Sequence, residues 1–212
     1  MHNNTMIIMK VLNLDEGKLL VSAARESIKE YQKNKNFDKK LIIDKLKSPE
    51  LNSKFGIFVT LYSHKDNELK GCVGFPRPIE KLKDSIVDAA LSAAFEDYRF
   101  SNIKRDELDH IVIEVSILSE MKQLKGNPNS FPDQIKIGED GLLIEYGVYN
   151  GLLLPIVAVE QKFNSEEFLK ETCLKAGVCE DCWNKPEAKV YKFQTQIFKE
   201  ESPNGEVKEI NL

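Results

Sequence analysis

Ile57-Phe58-Val59-Thr60-Leu61-Tyr62, then His64-Lys65-Asp66-Asn67-Glu68, then Leu69-Lys70-Gly71-Cys72-Val73-Gly74-Phe75 follow one another in the first half of the chain. The first run is β-branched and aromatic, the second is polar, and the third is again apolar in alternate positions, so the three read as strand, turn and returning strand. Cys72 lies on the return strand, in Gly71-Cys72-Val73-Gly74, where the run gives way to Pro76 and Pro78. A small polarizable thiol flanked by residues without Cβ suits a binding floor or a nucleophile, although the tetrapeptide alone favours a buried cysteine in a tight strand end.

Outward from this hairpin the pattern is mixed. Asn13 with Glu16 forms a capping-box signature for a helix that carries Leu20, Ala23, Ala24, Ile28 and Tyr31 and ends near Lys33. Leu41-Ile42-Ile43 and Leu46 predict a short helix before the Ser48-Pro49 break. After the prolines, a long helix is expected over 79–97, burying Leu82, Ile86, Ala89, Ala90, Ala93 and Ala94. Ile111 to Leu118 alternates as a strand, and 135–138, 142–147 and 152–154 read as further strands, the last two joined by an Asn150-Gly151 turn. Asn164 with Glu167 caps another helix running to a Gly177 stop, and Val190 to Glu200 reads as one long strand before a polar tail. Hairpins and helices without strand-helix alternation predict an α+β fold, mainly antiparallel sheet packed by helices.

The composition bounds the function. With 212 residues, 42% hydrophobic and 30% charged, the chain can build a large core without staples. The net charge is −4, arranged as +4 over 1–56 and −8 over the remainder. That balance disfavours a general nucleic-acid binder, and Lys33, Lys35, Lys39 and Lys40 read as a solvated face. The apolar Met6-Ile7-Ile8-Met9 run is too short for a signal-peptide core or a membrane span, and four cysteines are too few for a disulfide framework. The expectation is a cytoplasmic protein with reduced thiols and no membrane partner.

The ordered motifs Phe58-Val59-Thr60-Leu61, Leu69-Lys70-Gly71-Cys72-Val73-Gly74, Asp97-Tyr98-Arg99-Phe100, Glu114-Val115-Ser116-Ile117-Leu118, Gly138-Glu139-Asp140-Gly141-Leu142, Gly151-Leu152-Leu153-Leu154-Pro155 and Leu174-Lys175-Ala176-Gly177 closely resemble the AMMECR family, in a single-domain form of archaeal or bacterial type. The resemblance covers roughly 15–200, with 1–14 as an N-terminal extension and 201–212 as a tail. It implies a domain of two unequal lobes with a cleft between them, and it carries no assigned biochemical activity or cofactor. It also implies an association with Memo-like and radical-SAM proteins. The chain departs from the family pattern at three places: Lys70 stands where an arginine is usual, Ile156 where a glutamine is common, and Phe163 where a tryptophan is common. Lysine keeps the charge and loses the bidentate fork.

Several residues are candidates for chemistry. Cys72 is the candidate nucleophile, although His2, His64 and His110 have no spacing that ties them to it, so catalysis stays open. Lys70, Gly71, Cys72, Gly74, Arg77, Asp97 and Arg99 form the expected ligand set, with the cations receiving a small anionic ligand. The segment Phe75-Pro76-Arg77-Pro78-Ile79-Glu80-Lys81 opens a helix, and free amides there together with Arg77 and Lys81 would suit an anion; a rigid solvated connection is the alternative. Arg99 would serve either a cleft or an ion pair with Asp97. Cys173, Cys179 and Cys182 give a C-x5-C-x2-C cluster, one thiol short of a structural zinc set, and packing of Cys173 beside two surface thiols is the preferred reading. An RNA- or protein-binding regulatory module and a partner of Memo-like or radical-SAM proteins are the competing functions.

Overall fold

The computed structural model describes residues 11–211; the Met6–Met9 run and His2 lie outside them. The described residues divide into two compact units, 11–118 with 196–211, and 119–195. The order of elements is α1 (Leu14–Lys33), α2 (Lys40–Ile43), β1 (Gly56–Ser63), β2 (Leu69–Phe75), α3 (Leu82–Phe95), β3 (Ile111–Leu118), β4 (Lys122–Gln123), β5 (Gly141–Tyr146), β6 (Tyr149–Leu153), α4 (Pro155–Glu160), α5 (Ser165–Lys175), β7 (Ala188–Phe193), β8 (Thr195–Glu200) and β9 (Val207–Ile210). Helices beside two largely antiparallel sheets make an α+β fold. No helix among the described residues is long and apolar enough to cross a membrane.

The larger unit is built on a five-stranded sheet in the order β2-β1-β3-β8-β9, so β2 is an edge. The hairpin pairs Thr60 with Cys72 and Val59 with Val73, and β1 pairs on its other side with β3, Thr60 opposite Glu114. Helices α1 and α3 cover one face. α1 begins with both halves of the capping box, Asn13 accepting from the Glu16 N–H and Glu16 accepting from the Asn13 N–H. It buries Leu20, Val21, Ala24 and Ile28 against Ile57, Val59, Leu61, Ile113 and Val115 of the sheet. α3 buries the alanines expected of it, and Gly71 of β2 lies so close that a Cβ there would stand 2.0 Å from the Ala93 carbonyl oxygen. Alanines and a glycine thus let helix and strand main chains approach where larger side chains would hold them apart.

The smaller unit carries a four-stranded sheet, β4-β7-β5-β6, with Phe168, Leu169 and Cys173 of α5 packed among Leu142, Ile144 and Val190. α5 again opens on a complete capping box, Asn164 with Glu167, and its chain leaves through Gly177 at φ +77°.

Several expectations are corrected. α3 starts at Leu82 and ends at Phe95, leaving Ile79 73% exposed on the approach. Residues 135–138 form a turn instead of a strand: Gly138 takes φ +84° and Asp140 accepts from the Lys136 N–H, closing the loop locally. The turn between β5 and β6 is Gly147-Val148, with Tyr146 paired to Tyr149, so Asn150 and Gly151 sit inside β6. A Cβ on Gly151 would lie 2.4 Å from the Ala176 nitrogen and 2.6 Å from the Thr172 oxygen, which makes this glycine a contact point for α5. α4 over Pro155–Glu160 was not anticipated; Pro155 opens it at a position that needs no N–H.

The single strand expected over Val190–Glu200 is two, β7 and β8, which belong to different sheets. The break falls at Gln194, whose N–H donates to Ser119 Oγ and whose carbonyl accepts from the Ser119 N–H, both at 2.9 Å. The polar tail is also ordered in part, since β9 pairs with β8, Ile197 opposite Ile210.

Candidate functional site

Because side chains alternate across a strand, the hairpin register places Cys72 on the opposite side of the sheet from Gly71, away from α3. Thr60 and Glu114 share that face as successive cross-strand partners, and Phe58 and Ser116 lie two residues further along. The Thr60 hydroxyl donates to Cys72 Sγ at 3.3 Å. Glu114 forms an ion pair with Lys199 at 3.4 Å, and the Lys199 ammonium also lies 4.1 Å from the centre of the Tyr62 ring. Ser116 is fully buried, and its Oγ has no hydrogen-bond partner among the described residues. A sheet whose other face is aliphatic thus carries here a polar row of Cys72, Thr60, Glu114, Lys199 and Tyr62.

Asp97 and Arg99 hold the edge strand. The Cys72 N–H donates to Asp97 Oδ2 at 2.9 Å, and the Cys72 carbonyl accepts from Arg99 Nη2 at 2.9 Å. The two side chains are themselves joined, Arg99 Nε to Oδ1 at 2.8 Å and Nη2 to Oδ2 at 2.7 Å. An edge strand leaves outward-pointing main-chain groups unpaired, and at Cys72 this bidentate pair satisfies both of them. Of the two roles expected of Arg99, the ion pair with Asp97 is present, and the same guanidinium also holds the Cys72 carbonyl.

Electrostatics follow from the geometry. Hydrogen bonding from Arg99 holds the Asp97 carboxyl down to about 2, helped by the Cys72 N–H. Burial pushes the Cys72 thiol above its ordinary range; the Thr60 hydroxyl and the Arg99 charge pull it back, while Glu114 and Asp97 push it further up. Cys72 at neutral pH is a thiol, and a nucleophilic role would need a base to take its proton.

The other expected site residues scatter. Lys70 pairs with Glu68 at 2.5 Å, in the hairpin. Gly71 and Gly74 have no Cβ because protein fills the space: at Gly74 it would lie 2.1 Å from the Ile57 oxygen. Arg77 and Lys81 are exposed. The proposed amide site at the start of α3 is in part used by the protein itself, since the Leu82 N–H donates to the Ser53 carbonyl at 3.0 Å. His64 and His110 adjoin at the turn end of the hairpin, where the His64 N–H donates to the His110 carbonyl.

The cysteine cluster is corrected most. Cys173 and Cys182 are joined as a disulfide and are fully buried, so Cys182 is neither a surface residue nor a thiol, and only Cys179 of the three is free and exposed. Two of the three proposed metal ligands are consumed in that bond, and no group of three His, Cys, Asp or Glu among the described residues could hold a metal ion.

Sequence reasoning missed Thr60, Tyr62 and Lys199. The signal available was polarity inside otherwise buried strands: Thr60 between Val59 and Leu61, and Glu114 between Ile113 and Val115. Only the register shows that these interruptions share a face with Cys72.

A profile of the AMMECR1 family matches residues 21–198. Protein PH0010 of Pyrococcus horikoshii is 45% identical over 195 residues, covering 91% of this chain and 93% of that protein. Protein MJ0810 of Methanocaldococcus jannaschii is 46% identical over 206 residues, covering 96% and 100%. The crystal structure of the uncharacterized protein PH0010 superimposes with a TM-score of 0.90 at 42% identity, over 96% of this chain and 100% of that one. A match across most of the chain, joined to the same fold, makes this protein a member of the AMMECR1 family.

Proposed function

We propose that the polar face around Cys72 binds a small anionic ligand, with Arg99 giving the charge contact and Cys72 lining the floor. The observation that carries this reading is the clamp on Cys72: main-chain N–H and carbonyl both tied to the Asp97–Arg99 pair while Sγ meets Thr60. Such fixing lowers the cost of ordering a binding residue, which is what a preorganised site needs. The Arg99 side chain keeps 39% of its surface exposed, so it can meet a ligand without leaving Asp97. Lys70, being paired within its own hairpin, contributes less. The raised thiol favours contact over covalent catalysis at Cys72, and an enzyme subunit stays within the proposal through Glu114 and Thr60.

The test uses inorganic phosphate and succinate as probes, titrated at low salt and followed by amide NMR shifts and calorimetry. Binding should perturb Cys72, Asp97 and Arg99, and Arg99→Gln should weaken it about tenfold, the loss of one charge-assisted hydrogen bond. Cys72→Ser should keep the fold and alter the affinity. Absence of any shift near Cys72 with either anion overturns the proposal.

A second reading is a docking surface for a protein of the Memo-like or radical-SAM kind. Tyr98, between the two clamp residues, is 96% exposed, an unusual position for a large ring. Tyr98→Ser separates the readings, because it should abolish co-purification with such a partner and leave phosphate binding intact.

A further inference from the structure

Beyond the Cys72 face, the smaller unit holds three cysteines and one disulfide. Cys173 on α5 is bonded to Cys182 across nine positions, at a Cα–Cα distance of 5.9 Å. Both are wholly buried, so a thiol from solvent has no direct approach to either sulfur. Cys179 is exposed, and it stands at the other end of the turn that carries Cys182. The Cys182 N–H donates to the Cys179 carbonyl at 3.0 Å, which closes a β-turn between the two cysteines. A turn of that kind brings its end Cα atoms within about 7 Å, and a disulfide spans Cα separations of about 4.4–6.8 Å. Cys182 therefore has one cysteine bonded to it across the fold and a second held near it by the turn.

We infer that Cys179, Cys182 and Cys173 form a thiol–disulfide exchange site, in which Cys179 is the solvent-facing thiol through which the buried disulfide is opened. In the exchange a base in solution takes the proton of the Cys179 thiol, which the neighbouring Asp181 carboxylate pushes above its ordinary range, and the sulfur attacks Sγ of Cys182. The Cys179–Cys182 bond forms, the Cys182–Cys173 bond breaks, and Cys173 leaves as a thiolate that takes up a proton. The count of disulfides is unchanged, so the step needs no external oxidant or reductant; a dithiol in solution then reduces the Cys179–Cys182 bond, becoming oxidised itself.

The two states differ in what they constrain. With Cys173–Cys182 closed, α5 is stapled to the short turn Cys182–Asn184, and the main-chain N–H of Trp183 donates to Cys173 Sγ at 3.2 Å. With Cys179–Cys182 closed, the bond lies within one turn and leaves α5 untied. Trp183 also lines a recess of about 500 Å³ with Leu124, Lys125, Phe131 and Pro186, so releasing the staple frees one wall of that recess. The asymmetry is geometric: one bond joins two elements and the other joins the ends of a loop.

The chain contains a single tryptophan, so Trp183 fluorescence reports on this staple alone. The intact chain and Cys179→Ala are treated with dithiothreitol, and Trp183 emission and alkylation of Cys173 are followed in time. Cys179 is exposed, so its replacement leaves the fold standing; opening should nonetheless slow by about tenfold or more, because the attacking thiol is gone. A second arm takes Cys173→Ala through mild oxidation with glutathione disulfide, where peptide mapping should find Cys179 bonded to Cys182. Equal opening rates for the intact chain and Cys179→Ala overturn the inference. So does a map of the partly opened intact chain in which Cys179 is bonded to Cys173 in place of Cys182.

Discussion

The main-chain N–H of Cys72 donates to the carboxylate of Asp97 at 2.9 Å, across 25 positions of sequence, and the same carboxylate holds Arg99 by two bonds. One buried acid therefore fixes both the edge strand at Cys72 and the Arg99 guanidinium. Asp97→Asn keeps the shape and removes the charge, and it should cost about 1.5–3 kcal/mol, the range for hydrogen bonds to an ionised group. The pH dependence has a definite sign. The folded carboxyl is depressed to about 2, against an unfolded value of about 3.9, so its contribution is complete above the unfolded value and fades as pH falls from there through the folded one. Urea midpoints of the native chain and Asp97→Asn should stay apart at neutral pH and converge toward about pH 2.

Two glycines are held by contacts far away in sequence. A Cβ at Gly71 would stand 2.0 Å from the Ala93 oxygen, and one at Gly151 would stand 2.4 Å from the Ala176 nitrogen. In each case the obstacle is helix main chain, which cannot swing aside. Gly71→Ala and Gly151→Ala should each destabilise by about 1–3 kcal/mol through overpacking. Gly147 is the control: it has φ +61° and nothing within 4 Å of a Cβ, so Gly147→Asn should shift the urea midpoint little, asparagine tolerating that backbone.

These positions also show what could be read from the residues alone. Asn13 with Glu16 and Asn164 with Glu167 were legible because a capping box is closed within four residues. The hairpin was legible for the same reason, its two strands being joined by a polar turn. Asn150-Gly151 misled, since that dipeptide is a strong hairpin signal by itself, yet Gly151 answers to α5 and the turn goes to Gly147-Val148. Nothing local marks Gln194 as the break between β7 and β8; the two halves part because they join different sheets. The pairing of Cys173 with Cys182 is beyond spacing rules, which give possible partners and never the chosen one. For the site, Cys72, Asp97 and Arg99 were named from the motifs, whereas Thr60 comes opposite Cys72 only through strand register and Lys199 enters through its ion pair with Glu114.

Arg25 and Glu200 form a buried ion pair in the larger unit, with Nε to Oε1 at 2.8 Å and Nη2 to Oε2 at 2.5 Å. A buried pair alone is often replaceable by apolar residues at little cost. Here the pair also serves the main chain: Arg25 donates to the Leu108 and Ile111 carbonyls at 3.0 and 2.6 Å, and Glu200 accepts from the Ile113 N–H at 2.9 Å. Arg25→Met or Glu200→Leu strands a buried charge and should cost about 3–5 kcal/mol. The double variant Arg25→Met/Glu200→Leu removes both charges, so it should lose less than the sum of the singles. It should still fall about 1–3 kcal/mol below the native chain, because an orphaned buried main-chain group is penalised even when the ions are gone. A double-mutant cycle on urea unfolding measures this, and a double variant as stable as the native chain would reduce Arg25 and Glu200 to a simple ion pair.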